Sequence, residues 1–252
     1  MICSVLMPLN LSMHYLKMSF KNHLWIFGMG VSMFSTHFLF VYEATNYLVS
    51  GIIAVIFSGV SFLSVAYTAI YQRKLPKWNV LLGSILGTAG LGIFFADEMT
   101  TLAEKADTLT GVILCLIATA IFTFGGIISK HNQKENLSIT ASMAWGMTYG
   151  SIIMLIYALY KGTAFNFPQE TDFWLSLWYL IIFGSLVAYL CYLQLIKNIG
   201  AELASYITVL TPIVALFISS HMEGYIWSIN DLIGLMVVIS GNILVIKKFD
   251  RS

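Results

Sequence analysis

The sequence predicts an all-α integral membrane protein, an inverted-repeat bundle of about nine transmembrane helices, eight strong and one weak at the N-terminus. Three observations lead there. Hydrophobic residues make up 58% of the 252-residue chain and charged residues 10%, with a mean hydropathy of +0.83. A soluble domain usually carries about 25% charged residues, and so little polar surface cannot cover a globule in water. Eight apolar runs follow one another, each near the ~20 residues that cross a hydrocarbon core about 30 Å thick. Lysine and arginine gather in alternate connections between them.

The weak run comes first, at 1–16 (MICSVLMPLNLSMHYL). It contains Pro8 and lacks the basic start and small-residue cleavage site of a signal peptide. It reads as the end of a helix whose beginning is missing. Strong runs follow at 23–42, 51–72, 78–96, 109–129, 139–160, 173–195, 203–220 and 229–246. They hold almost no Asp, Glu, Lys or Arg, and the exception, Asp231, sits at a span edge. A transmembrane β-barrel would instead alternate over about ten residues. These are helices.

Charge sets their direction. With the 17–22 connection placed inside, cytoplasmic segments carry all of the 13 lysines and arginines except Lys105 and Lys161. That asymmetry puts the C-terminus in the cytoplasm and suits a multi-pass inner-membrane protein. Trp25, Trp78, Trp174, Trp178 and Trp227 fall near span ends, where amphipathic rings favour the interface. Trp145 lies about two turns inside its run and reads as a lipid-facing or packed ring. The net charge of +1 offers nucleic acid no basic field. Cys3, Cys115 and Cys191 are isolated in apolar runs and suggest neither a disulfide framework nor a metal site.

An internal repeat organises the chain. A shift of 151 residues aligns 37–92 with 188–243 without a gap, placing Gly83 and Gly90 on Gly234 and Gly241, Asn79 on Asn230, and Leu81 on Leu232. Glycines seven apart share a helix face and admit a close neighbour; Gly87 extends the first set. The basic 73–77 connection is inside, whereas its counterpart at 224–228 is outside and has no Lys or Arg. The copies are therefore inverted, a device of secondary transporters. The expected domains are a first repeat at 1–96, an acidic external linker at 97–108 and a second repeat at 109–247.

The stretch Tyr42-Glu43-Ala44-Thr45-Asn46-Tyr47-Leu48-Val49-Ser50-Gly51, running into IIAVIFSGVSF, resembles the third-to-fourth helix junction of EamA-type members of the drug/metabolite transporter superfamily. Thr211-Pro212, Met222-Glu223-Gly224, Gly234 and Gly241 are similar to the same family's second half. The resemblance implies five helices plus five with both termini cytoplasmic. This chain fits the last nine, apparently lacking the first, so either the true start lies upstream or the product is a truncated and inactive relative. Ser61 stands where the first copy would match Pro212, implying a less kinked pivot, and Gln72 stands where it would match Glu223.

Candidate substrate-pathway residues are His37, Glu43, Ser61, Ser64, Thr68, Tyr189, Tyr192, Thr208, Thr211 and Pro212. His37 is an ionisable group well inside a strong span, where such groups suggest function by default. Glu43 lies at the outer end of the same run, six residues on and off the His37 face, which argues against a direct relay. Ser61, Ser64 and Thr68 form a small-hydroxyl stripe that either packs helices or lines a path. Tyr189 and Tyr192 could wall an organic solute or simply pack. Pro212 should free the Thr208 carbonyl within its run, which then needs a partner or a wet cavity.

No GxxxxGK[ST] loop or HExxH occurs. Together with the inverted repeat, the resemblance implies a non-enzymatic permease or exporter of small organic metabolites such as amino acids or drugs, working by alternating access in the lipid bilayer. No cofactor is expected; a proton is a candidate coupling ion and a homodimer a candidate assembly. The alternatives are a membrane-embedded enzyme, a channel, or an inactive remnant.

Overall fold

The computed structural model describes residues 18–72, 78–94, 106–163, 168–205, 207, 211–222 and 227–246. The weak run 1–16 falls outside them. Among the described residues every strong run is mainly helical and no strand occurs. The helices are α1 Phe20–Ala44, α2 Ser50–Phe57, α3 Val60–Gln72, α4 Trp78–Phe94, α5 Ala106–Lys134, α6 Ile139–Tyr160, α7 Thr171–Ala201, α8 Thr211–Met222 and α9 Ile229–Ile246. Helix satisfies every backbone polar group within one segment, which lipid demands. Five described spans are long and apolar enough to cross a membrane: α1, Ser50–Tyr67, Asp107–Lys134, α6 and α7.

The ends of these helices are built from local chemistry. After α6, Gly162 takes φ +66°, and the N–H groups of Gly162 and Thr163 donate to Leu159 and Ala158 carbonyls at 3.0 Å each. That is a Schellman termination. After α5 the same pair of bonds runs from Asn136 and Leu137 to Gln133 and Asn132, with Asn136 at φ 57°. Asparagine tolerates this left-handed backbone; a β-branched residue does not. Asn136→Val should therefore cost about 1–2 kcal/mol, read as a lower thermal midpoint in detergent. At the start of α9 the Ser228 N–H donates to the Asp231 carboxylate at 2.7 Å, and the Asp231 N–H donates back to the Ser228 hydroxyl at 3.1 Å. This capping box explains why an acid can sit 2% exposed at a span edge.

The described chain divides into two compact units. One contains Met1–Thr36 and Gly125–Ala201, the other His37–Phe124 and Glu202–Ser252. Each draws on both sequence copies. In the first unit, α1 packs on α6 in parallel: a Cβ on Gly30 would meet the Gly146 carbonyl, and one on Gly150 would lie 2.8 Å from the Phe34 carbonyl. In the second, Ala44, Leu48, Ile52, Val55 and Ile56 pack with Phe94, Cys115, Leu216 and Leu235.

In that second unit α4 and α9 pack antiparallel through the duplicated glycines. A Cβ on Gly90 would stand 2.8 Å from the Gly234 carbonyl, and one on Gly241 would stand 2.7 Å from the Gly83 carbonyl. Gly83 and Gly90 correspond to Gly234 and Gly241, so each glycine meets the counterpart of the other. Such reciprocal pairing is what a two-fold axis produces. Gly87 is filled from another side, by the Phe62 ring.

Several helix irregularities also keep the 151-residue spacing. Phe20 and Thr171 each begin a helix after an extended segment. Val49, extended at φ −69°, precedes α2, and its counterpart Gly200 breaks the Ala188–Ser205 helix at φ 85°. A wide π-helical turn interrupts α1 at Ser32–Thr36, and another interrupts α7 at Leu180–Val187. The second turn covers the positions matching the first.

Ser61, which stands in proline's place, lies in a locally irregular stretch of the first copy. The helix tightens at Ser58–Gly59, where Gly59 and Phe62 N–H groups reach back three residues, to Ile56 and Gly59, at 3.0 and 3.1 Å. The Ser58 and Ser61 hydroxyls donate to Val55 and Ser58 carbonyls at 2.6 and 3.0 Å, and such back-bonds bend helices. Pro212 lies in α8, which is described from Thr211 onwards. Thr208, whose carbonyl proline was expected to free, lies outside the described residues.

Candidate functional site

The candidate residues divide between the two units. In the first, the chemistry gathers at the π-turn of α1. Such turns interrupt the regular hydrogen-bond ladder and recur at functional sites. Ser32, Met33, Phe34 and Ser35 are all buried. The Ser35 hydroxyl donates to the Val31 carbonyl at 3.1 Å. Tyr189, two residues beyond the π-turn of α7, donates its hydroxyl to the Met33 carbonyl at 3.1 Å. Its ring meets Phe34 edge-on, with centroids 4.8 Å apart. The Tyr192 hydroxyl lies 3.7 Å from where a Cβ on Gly126 would stand.

Tyr189 therefore ties the second copy's wide-turn helix to the first copy's wide turn. Tyr189→Phe keeps the ring and removes the hydroxyl, leaving the Met33 carbonyl without this donor. The expected loss is about 1 kcal/mol of stability, measured as a shift in thermal unfolding midpoint.

The second unit holds His37, Glu43, Ser61, Ser64, Thr211 and Pro212. His37 opens the helical half that follows the α1 π-turn and is 2% exposed. Its ring centroid lies 4.0 Å from that of Phe38, 5.2 Å from Phe122 and 6.3 Å from Phe57, and Phe57 lies 5.0 Å from Phe122. Glu43 is exposed, as suits a residue at the outer end of a span. Ser61 and Ser64 are buried, whereas Thr211 is exposed and Pro212 buried. The Thr68 side chain lies outside the described residues.

Sequence reasoning missed several polar contacts. His23 Nδ1 lies 2.7 Å from the Tyr149 hydroxyl, and the His23 ring packs edge-on against Trp145 at 5.0 Å. Trp145 is thus a packed ring. Trp25 overlies His131 at 4.2 Å. Gln133 donates to the Ser129 hydroxyl and to the Leu193 carbonyl at 3.2 and 3.1 Å. His23 and Tyr149 lie 126 positions apart, so no local signal could pair them. Among the described residues no cluster of three His, Cys, Asp or Glu is placed to hold a metal ion.

Comparison with known proteins adds to this geometry. A family model described as the EamA-like transporter family matches residues 109–247, more than half of the chain. The chain is 23% identical over 199 residues to the "Uncharacterized inner membrane transporter YedA" of Escherichia coli K12, covering 78% of this chain and 61% of that protein. It is 24% identical over 206 residues to an "Uncharacterized transporter" of Clostridium kluyveri, covering 80% and 65%. It is 24% identical over 221 residues to the "Uncharacterized transporter YyaM" of Bacillus subtilis, covering 79% and 72%. The chain thus spans less than two thirds of the length of the first two relatives. One crystal structure superposes on 100% of this chain and 86% of its own length, with a TM-score of 0.72 at 12% identity. That likeness is one of fold.

Proposed function

The chain belongs to the EamA-like transporter family, and from that premise we propose that it moves small organic metabolites such as amino acids or drugs by alternating access, without ATP. The two inverted repeats at 1–96 and 109–247 rock about a shared centre. The observation that supports this best is the pair of wide turns at matching positions of α1 and α7, joined by the bond from Tyr189 to Met33. Interrupted helices at corresponding positions of two repeats are where secondary transporters place their substrates. The relatives named as transporters support membrane transport in general terms.

Candidate solute contacts are Tyr189 and Tyr192 in the first unit and His37, Ser61 and Ser64 in the second; Glu43, Thr68, Thr208, Thr211 and Pro212 complete the candidate set. The C-terminus lies in the cytoplasm, and a proton supplies the coupling. Counterflow in proteoliposomes tests this: preloaded amino acid should accelerate uptake of labelled amino acid. Failure of every small organic solute to exchange would overturn the reading.

A further inference from the structure

We propose that the inward-facing end of the first unit carries a binding groove for the headgroup of an anionic phospholipid. The groove is about 490 Å³ and lies between the start of α6 and the second half of α7. Thr140, Gln194 and Asn198 supply hydrogen-bonding groups, and Ile139, Leu190 and Leu195 supply apolar wall. A slot with a polar floor and an aliphatic side suits a headgroup with the first carbons of its chains.

Its depth fits that occupant. Residues 139–140 and 190–198 all fall at the ends of their spans, where the basic asymmetry places the cytoplasmic boundary. The stretch of α7 that leads from the groove towards the membrane centre is lipid-accessible: Ile182, Phe183 and Val187 are exposed, and the apolar window of that span is 11% buried, against 39% for α6. Acyl chains leaving the groove therefore meet an apolar helix face.

Charge complements the phosphate. Lys197 is exposed and adjoins Asn198; Lys134, exposed, follows Gln133, which holds the Leu193 carbonyl of α7. Lys130 Nζ comes within 3.9 Å of where a Cβ on Gly200 would stand. These lysines lie beside the groove and not in its lining, where basic groups near the membrane surface attract acidic headgroups. The first turn of α6, which contributes Ile139 and Thr140, receives no side-chain cap from Ser138, so its N–H groups add to the attraction for an anion.

Native mass spectrometry of the purified protein tests this, with phosphatidylglycerol, phosphatidylcholine and inorganic phosphate as probes. Retention of phosphatidylglycerol over phosphatidylcholine is expected. Lys134→Ala and Lys197→Ala should each weaken that retention about fivefold, and Lys197→Arg should restore it. Both lysines are exposed, so the folded protein survives the changes. Cys191 lines the groove and gives a second readout: with Cys3 and Cys115 replaced by serine, phosphatidylglycerol should slow its maleimide labelling. Equal retention of both lipids, indifference to the lysine changes, or displacement by millimolar phosphate would each overturn the proposal.

Discussion

Gly234→Ala is expected to destabilise the bundle by about 1–3 kcal/mol, as overpacking a tight contact does, and Gly234→Leu to abolish the folded peak in size-exclusion chromatography. The added Cβ would stand 2.5 Å from the Phe94 nitrogen and 2.7 Å from the Gly90 carbonyl oxygen. Both are backbone atoms of an opposing helix, so relief requires α4 and α9 to separate along the seam. Gly241→Ala should behave alike, meeting the Gly83 carbonyl at 2.7 Å. Gly92 supplies the control. It lies on the same α4 helix with nothing within 4 Å of its Cβ position. Gly92→Ala should therefore be neutral or stabilising by about 0.5–1 kcal/mol, since alanine loses less backbone entropy in a helix. Opposite signs on the two packed helices, at a glycine inside the seam and one outside it, would attribute the effect to the seam and not to helix propensity.

The second large effect belongs to His37. Phenylalanine at this position keeps a flat ring among Phe38, Phe57 and Phe122 and removes both ring nitrogens. A histidine that serves packing tolerates that change. A histidine that contacts solute does not, so His37→Phe is expected to reduce counterflow about tenfold, the scale of one lost hydrogen bond in the rate-limiting complex. Its unfolding midpoint should stay within a few degrees of the parent's. His37→Ala is the harsher companion, costing about 2–4 kcal/mol by leaving a cavity. Full counterflow by His37→Phe would reduce His37 to a packing residue.

The sequence was most informative where lipid makes the rules. The run read at 139–160 coincides with α6, and that read at 229–246 opens where α9 begins, because polar residues bound them there and hydrocarbon demands backbone groups satisfied within the segment. The glycine seam was legible for a related reason: glycines recurring at one spacing in two copies announce close packing before any partner is known. Other features carry no local signature. The wide turns at Ser32–Thr36 and Leu180–Val187 are among them: serine, methionine and phenylalanine at the first encode no preference for such a turn.

Pro212 within an apolar run suggests a kink, but the residues just before Thr211 that would carry it lie outside the described ones. Asp231 read as a span-edge exception and proved to be half of a capping box, which needed only Ser228 three residues earlier to be recognised. Tyr189 illustrates the remaining limit. Its spacing from Tyr192 was visible, whereas its partner, the Met33 carbonyl, lies 156 positions away in sequence.

The sidedness of two equivalent connections tests the inverted repeat most directly. Lys77 and Ser228 precede α4 and α9 at matching positions, and those helices run antiparallel. In a background with Cys3, Cys115 and Cys191 replaced by serine, Ser228→Cys should react with an impermeant maleimide in intact cells. Lys77→Cys should react only after permeabilisation. Labelling of both residues from the same face would contradict the account.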